Sequence, residues 1–94
     1  MKEPICIRVI IEGRVQGVYY RAWTVSNAKA RGLTGWVRNL STGEVEAVFC
    51  GPSGTVEEMI QACMDGPPAA RVRNIIRHKH DETPPADFQK RSNG

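Results

Sequence analysis

The spacing of apolar residues along this chain switches from a period of two to the helical period and back, twice over, and that order constrains the fold more than any other feature. From Ile5 the pattern alternates, with Ile5, Ile7, Val9 and Ile11 on one face and Cys6, Arg8, Ile10 and Glu12 on the other, as in a strand with one buried side. Arg21 to Arg31 then carries Ala22, Val25 and Ala28 at helical spacing, and Gly32 is placed to end that helix as a left-handed C′ residue. Leu33-Thr34-Gly35 turns into a second extended run, Trp36 to Leu40. Ser41-Thr42-Gly43-Glu44 signals a hairpin into a third, Val45 to Cys50, with Val45, Ala47 and Phe49 sharing a face.

Gly51-Pro52-Ser53-Gly54 breaks the chain ahead of Thr55-Val56-Glu57-Glu58, an S/T-x-x-E capping box predicted to open the second helix. Val56, Met59, Ile60 and Cys63 form its apolar stripe, and it stops before Gly66-Pro67-Pro68. Val72 to Lys79 is a fourth extended run in which Val72 and Ile76 share a phase while Ile75 falls out of it, so a bulge or a partly exposed edge is expected. Met1 to Pro4 reads as a frayed lead-in. A polar loop with Pro84 and Pro85 precedes Asp87 to Arg91, where a short fifth strand around Phe88 is the remaining candidate.

The order β-α-β-β-α-β describes two split βαβ halves interleaved in one antiparallel sheet, the ferredoxin-like α+β plan, with both helices on one face. Right-handed crossovers give a strand order of 4-1-3-2. Residues 1–94 suffice for one domain with a single core. No repeat is visible beyond this twofold pattern.

A net charge of +3 suits a small anionic ligand and weak nucleic-acid attraction equally well. The run from Ile5 to Ile11 is interrupted by Arg8 and is too short for a membrane span or a cleaved signal, so a soluble, unexported chain is expected, cytoplasmic by default and without a membrane partner. Cys6, Cys50 and Cys63 show no CxxC or Cys/His ligand spacing, and His78 and His80 have no cysteine near them, so neither metal nor cofactor is expected. Cys6 and Cys50 fall on neighbouring antiparallel strands in the expected topology, both pointing away from the helices. A bridge between them would close a loop of about 44 residues, worth roughly 4 kcal/mol in the chain-entropy model, although cytoplasmic thiols are usually reduced.

Between the first strand and the first helix lies Glu12-Gly13-Arg14-Val15-Gln16-Gly17-Val18-Tyr19-Tyr20-Arg21. Gly13 and Gly17 allow backbone conformations that bring successive N–H groups to a bound ion. The first turn of the helix and Arg21 would add unpaired N–H groups and a forked cation at the same spot. A phosphate fits that cradle. An ordinary strand-to-helix turn with solvated arginines fits it too, because a lone glycine-rich turn is a weak signal. Arg14, Arg38 and the run Arg71 to Lys79 read as a solvated face, and Trp23 and Trp36 as packing or edge aromatics.

Four segments carry more than periodicity: Gly13 to Arg21, Gly32-Leu33-Thr34-Gly35-Trp36-Val37-Arg38-Asn39, Gly43-Glu44-Val45-Glu46, and Gly66-Pro67-Pro68-Ala69-Ala70-Arg71-Val72. In this order the chain resembles the acylphosphatase family from the first strand to the fourth. The resemblance implies metal-independent hydrolysis of the carboxyl–phosphate bond of an acyl phosphate, with no cofactor and no covalent intermediate. It implies phosphate binding by Arg21 and by the backbone N–H groups of Val15, Gln16, Gly17, Val18, Tyr19 and Tyr20, and water orientation by Asn39. Inorganic phosphate is then product and competitive inhibitor. Tyr20 stands where a phenylalanine is common, and Tyr19 replaces a residue that is often small, narrowing the mouth of the site. Without the resemblance, Asn39 reads as a strand-end residue capping the hairpin.

Two other readings compete. A nucleic-acid module on the same fold would stack bases on aromatics of its central strands. Those strands offer mainly Ile, Arg, Glu and Val here, so no nucleic-acid partner is expected. A silent phosphate sensor would bind phosphate without turnover. A monomer is the default assembly.

Overall fold

The computed structural model of the chain describes residues 4–81, 83 and 85–93. Most of the lead-in, Met1 to Glu3, lies outside them, as do Glu82 and Pro84 of the polar loop and Gly94. The elements run β1 (Ile5–Arg14), α1 (Tyr20–Ala30), β2 (Thr34–Asn39), β3 (Val45–Gly51), α2 (Ser53–Asp65), β4 (Arg71–Lys79) and β5 (Phe88–Lys90). The strands form one sheet in the order β4-β1-β3-β2-β5. The expected order 4-1-3-2 is present, and the fifth strand extends it.

That fifth strand pairs with β2 in parallel, so the sheet is mixed rather than wholly antiparallel. The direction follows from the route. The chain leaves β4 beside the start of β1, at the end of the sheet where β2 also begins, and so enters alongside β2 running the same way. Phe88 holds it there by burying its ring on Phe49, with centroids 5.5 Å apart.

The helix-facing side chains of the sheet, among them Val9, Ile11, Val37, Val45, Ala47 and Phe49, share one core with Val56, Met59, Ile60 and Cys63 of α2. The α2 stripe is therefore the expected one, but the helix begins earlier. Pro52, with φ of −58°, is preset for a helix start, and its carbonyl accepts from Val56 N–H at 3.0 Å. Ser53 and Gly54 thus join the first turn, and no side chain caps it, so the Thr55 capping box is not the start of the helix.

In α1 the buried residues are Tyr20, Thr24 and Ala28, with Ala22 and Val25 only half-buried, so the face is rotated from the predicted stripe. The Thr24 hydroxyl donates to the Tyr20 carbonyl at 2.8 Å, which satisfies a polar group in that buried row. The helix closes as expected at Gly32. Leu33 N–H donates to Ala28 O and Gly32 N–H to Lys29 O, both at 3.0 Å, the paired bonds of a Schellman motif.

The predicted irregularity of β4 is a bulge opposite Glu12 and Gly13. Glu12 pairs with Asn74 and Gly13 with Val72, leaving Arg73 as the extra residue. The extra residue brings Val72 and Ile75, three apart, onto the same core side, and turns Ile76 to the open face. It also explains Gly13. That residue lies within β1 at φ of 127°, and a Cβ there would sit 2.2 Å from the Arg71 carbonyl oxygen. Gly13 therefore serves the close approach of β4 and is not part of the turn before α1.

On the face away from the helices, Cys6 and Cys50 are direct cross-strand partners, with Cα atoms 4.1 Å apart and their sulfurs joined. Trp36 and Val48 pack with them. Beside this group Glu46 is buried between Arg8, at 3.0 Å, and Arg38, at 2.7 Å. Arg38 is thus an ion-pair partner rather than only a solvated cation.

Candidate anion site at the start of α1

Residues 15–19 link β1 to α1. Val15 is buried and anchors the start of the link, while Val18 packs against the core from its middle. Gly17 has φ of 74° and Tyr19 φ of 69°, so the backbone is left-handed twice within three residues. For Gly17 that conformation is free of strain; for Tyr19 it is not. The helix then starts with no side-chain cap at Tyr19 and no acidic residue in its first turn. Its leading N–H groups and the positive end of its dipole therefore meet no side-chain cap and no first-turn carboxylate.

Gln16 ties this link to the rest of the fold. Its Nε2 donates to both Leu40 O and Glu44 O at 2.8 Å, the carbonyls that open and close the β2–β3 hairpin. Asn39, the last residue of β2, directly precedes Leu40. The amide of Gln16 therefore fixes the link relative to Asn39, a role read from tertiary contact alone.

A cleft of about 220 Å³ opens where these parts meet, lined by Val15, Gly17, Tyr19, Tyr20, Arg21, Ala22, Asn39 and Lys90. It brings Arg21 and Asn39 together although 18 positions separate them in sequence. Of the six link and helix-start residues named from the sequence, Gln16 and Val18 do not line it. Asn39 lies on the helix side of the sheet, paired with buried Val45, and its Oδ1 is buried without a hydrogen-bond partner among the described residues. Such an acceptor costs about 1–3 kcal/mol and calls for a ligand, an ion or a water. Arg21 is half-buried, and its Nη1 makes a long 3.3 Å contact with Asn93 Oδ1.

Lys90 was not singled out by the sequence reading. Alternation could have found it, since Phe88 and Lys90 share a face of β5 while Arg91 falls on the other. The structure bears this alternation out. Phe88 is in the core, Lys90 lines the cleft, and the Arg91 guanidinium lies 4.8 Å from the centre of the Trp36 ring on the open face. Among the described residues the cleft thus carries two cations, Arg21 and Lys90, and no carboxylate.

Tyr20 anchors the helix start from behind. Its ring is buried, and its hydroxyl donates to Cys63 O of α2 at 2.5 Å. Burial, with the Cys63 side chain close by, pushes its pKa well above the usual phenol range. Burial likewise pushes the Cys63 thiol up to about 12. Neither group is available as a base or a nucleophile at neutral pH. Among the described residues, no three His, Cys, Asp or Glu side chains gather where they could hold a metal ion. Among the described residues no helix is long and apolar enough to cross a membrane.

A ferredoxin-like α+β sheet with an uncapped helix start, an arginine and a buried, unpartnered amide oxygen at one cleft defines a small anion-handling domain. Comparison with known proteins makes this specific. Residues 7–90 match the family model for acylphosphatase. An acylphosphatase from Rhodospirillum rubrum is 58% identical over 67 residues, 71% of this chain and 74% of that protein. One from Azorhizobium caulinodans is 50% identical over 80 residues, 85% of each chain. The structure of an acylphosphatase from Coxiella burnetii matches with a TM-score of 0.89 at 38% identity, covering 94% of this chain and 93% of that one. The chain belongs to the acylphosphatase family of hydrolases.

Proposed function

We propose that the chain hydrolyses acyl phosphates to a carboxylate and inorganic phosphate, with Arg21 and the N–H groups of residues 15–20 clamping the phosphoryl group and Asn39 orienting the attacking water. The observation that carries this reading is the buried, unpartnered Oδ1 of Asn39 at the same cleft as Arg21. A phosphoryl group at the helix start would place a water between itself and that oxygen.

An acyl phosphate is an activated anhydride, so the protein's task is to position it and to neutralise charge. Arg21 supplies a planar fork and the backbone supplies preorganised donors, where one well-placed donor is worth about 3–4 kcal/mol. A carboxamide can accept from a water without itself titrating. The water oxygen forms the new P–O bond as the bond from phosphorus to the acyl oxygen breaks. The electron pair leaves on the carboxylate, and the water's proton passes to a phosphoryl oxygen. Among the described residues no histidine, cysteine or carboxylate lines the cleft, and this route requires none.

The test is hydrolysis of benzoyl phosphate in the presence of a chelator, with inorganic phosphate as competitor. Asn39→Ala is expected to lose about 10²–10³-fold in kcat while phosphate still competes, because the clamp is intact. Arg21→Lys is expected to lose activity to at least that extent, and phosphate competition with it, since an ammonium lacks the bidentate fork. Turnover by Arg21→Lys close to the parent rate would overturn the assignment of Arg21. Phosphate binding by the wild type without turnover would make the chain a sensor.

A further inference from the structure

Tyr19 is held in an arrangement that its own packing does not repay. Among the described residues it alone combines a side chain with positive φ. A bulky residue in that conformation is strained, and the turn needs only what glycine or asparagine would supply at less cost. Burial gives little in return, because Tyr19 is 76% exposed, against 46% for Met64 and 38% for Ile76, the other exposed large hydrophobics. It makes no side-chain cap bond to α1 either. Yet it lines the same cleft as Arg21 and Asn39.

In-line displacement sets the direction of the acyl group. The water belongs beside the buried Oδ1 of Asn39, so the leaving carboxylate must depart on the side opposite it, toward the exposed residues of the cleft. Of the residues lining the cleft, only Gly17, Tyr19 and Lys90 are exposed, and of these only Tyr19 offers a flat apolar surface. We propose that Tyr19 is the specificity-determining residue of an acyl subsite, whose ring receives a planar acyl group. The favoured substrates are then phosphates of aromatic carboxylic acids over those of small aliphatic ones. Offset or edge-on contact between rings gives the selectivity. This inference rests on the acyl phosphate reading above.

The experiment compares kcat/KM for benzoyl phosphate and acetyl phosphate in the wild type, Tyr19→Asn and Tyr19→Phe. Asparagine tolerates the left-handed backbone and removes the ring, whereas phenylalanine keeps it. The ratio of benzoyl to acetyl phosphate is expected to fall about fivefold in Tyr19→Asn, mainly through KM for benzoyl phosphate, and to be retained in Tyr19→Phe. An unchanged ratio in Tyr19→Asn, or an equal loss on both substrates, would overturn the subsite while leaving the hydrolase reading in place. Failure of the wild type to hydrolyse either substrate would instead overturn that reading, and the subsite with it.

Discussion

The two βαβ halves of this chain share a topology and divide the work. In the first, residues 15–19 separate β1 from α1; in the second, Pro52 alone separates β3 from α2. Five residues allow a loop of N–H groups to form ahead of an uncapped helix, and a single proline with fixed φ allows only a direct entry. The helices differ accordingly. α2 buries Val56, Met59, Ile60 and Cys63, while the row on α1 is Tyr20, Thr24 and Ala28, more polar and in part hydrogen-bonded to itself. Link length and the composition of the buried stripe thus distinguish two topologically equivalent helix starts, of which the proposal above assigns the phosphoryl group to that of α1. The halves still depend on each other, because Tyr20 at the site leans on Cys63 of the other helix.

The largest way to break that division is to cut the covalent tie between the halves. Cys6 is the second residue of β1 in the first and Cys50 the next to last of β3 in the second, 44 positions apart in sequence. Reduction of the bridge, or Cys6→Ala with Cys50→Ala, is expected to cost about 4 kcal/mol in a denaturant titration. Turnover of benzoyl phosphate under native conditions should persist. The bridge lies level with Thr34 at the start of β2, away from Asn39 at its end. A midpoint unmoved by reduction would mean that the sheet alone holds the halves in register.

A smaller effect, confined to the site, is expected at Gln16. Its amide is the direct bond between the first-half link and the hairpin that carries Asn39 toward β3. Gln16→Ala is expected to lower kcat by about 10²-fold, as misplacement of about 1 Å between reacting groups does. Competition by phosphate should weaken far less. Gln16→Glu should not rescue, since a carboxylate has no N–H to give to Leu40 O and Glu44 O. If kcat and phosphate competition fell in equal measure, Gln16 would be a support of the clamp alone, not of its alignment with Asn39.

What could be read from the sequence follows the range of the interactions involved. The alternation from Ile5 to Ile11, the stripe from Val56 to Cys63 and the stop at Gly32 are local patterns, and each appears where the pattern places it. Cys6 opposite Cys50 was legible because alternation and strand order together fix which residues face each other. The roles of Gly13 and Gln16 were not, because each is set by a partner far along the chain, Arg71 for one and the hairpin carbonyls for the other. The α1 face was misread for a related reason. Tyr20 and Thr24 carry polar groups that are buried only because Cys63 O and Tyr20 O accept from them. Three residues of β5 were too few to show a direction, and Lys90 was missed with them.

The contact that joins the halves also sets an alkaline limit on the fold. In the native state burial holds the Cys63 thiol protonated up to about 12, whereas its ordinary value is 9.0. Below pH 9 both folded and unfolded chains carry the proton, and the full stability is present. Between pH 9 and about 12 the unfolded chain loses the proton first, so it binds fewer protons than the native state and stability falls as pH rises. Tyr20, also shifted upward by burial, adds a loss of the same sign above its ordinary value of 10.0. The expected outcome is a thermal midpoint that drops more steeply above pH 9 in the wild type than in Cys63→Val, where the thiol is replaced by a group that cannot titrate. At pH 7 the two proteins should differ in stability by no more than the repacking cost of one small apolar side chain, about 1 kcal/mol. Parallel midpoint curves from pH 7 to 11 would show that the thiol ionises without unfolding the contact, and that α2 braces Tyr20 through the Cys63 carbonyl alone.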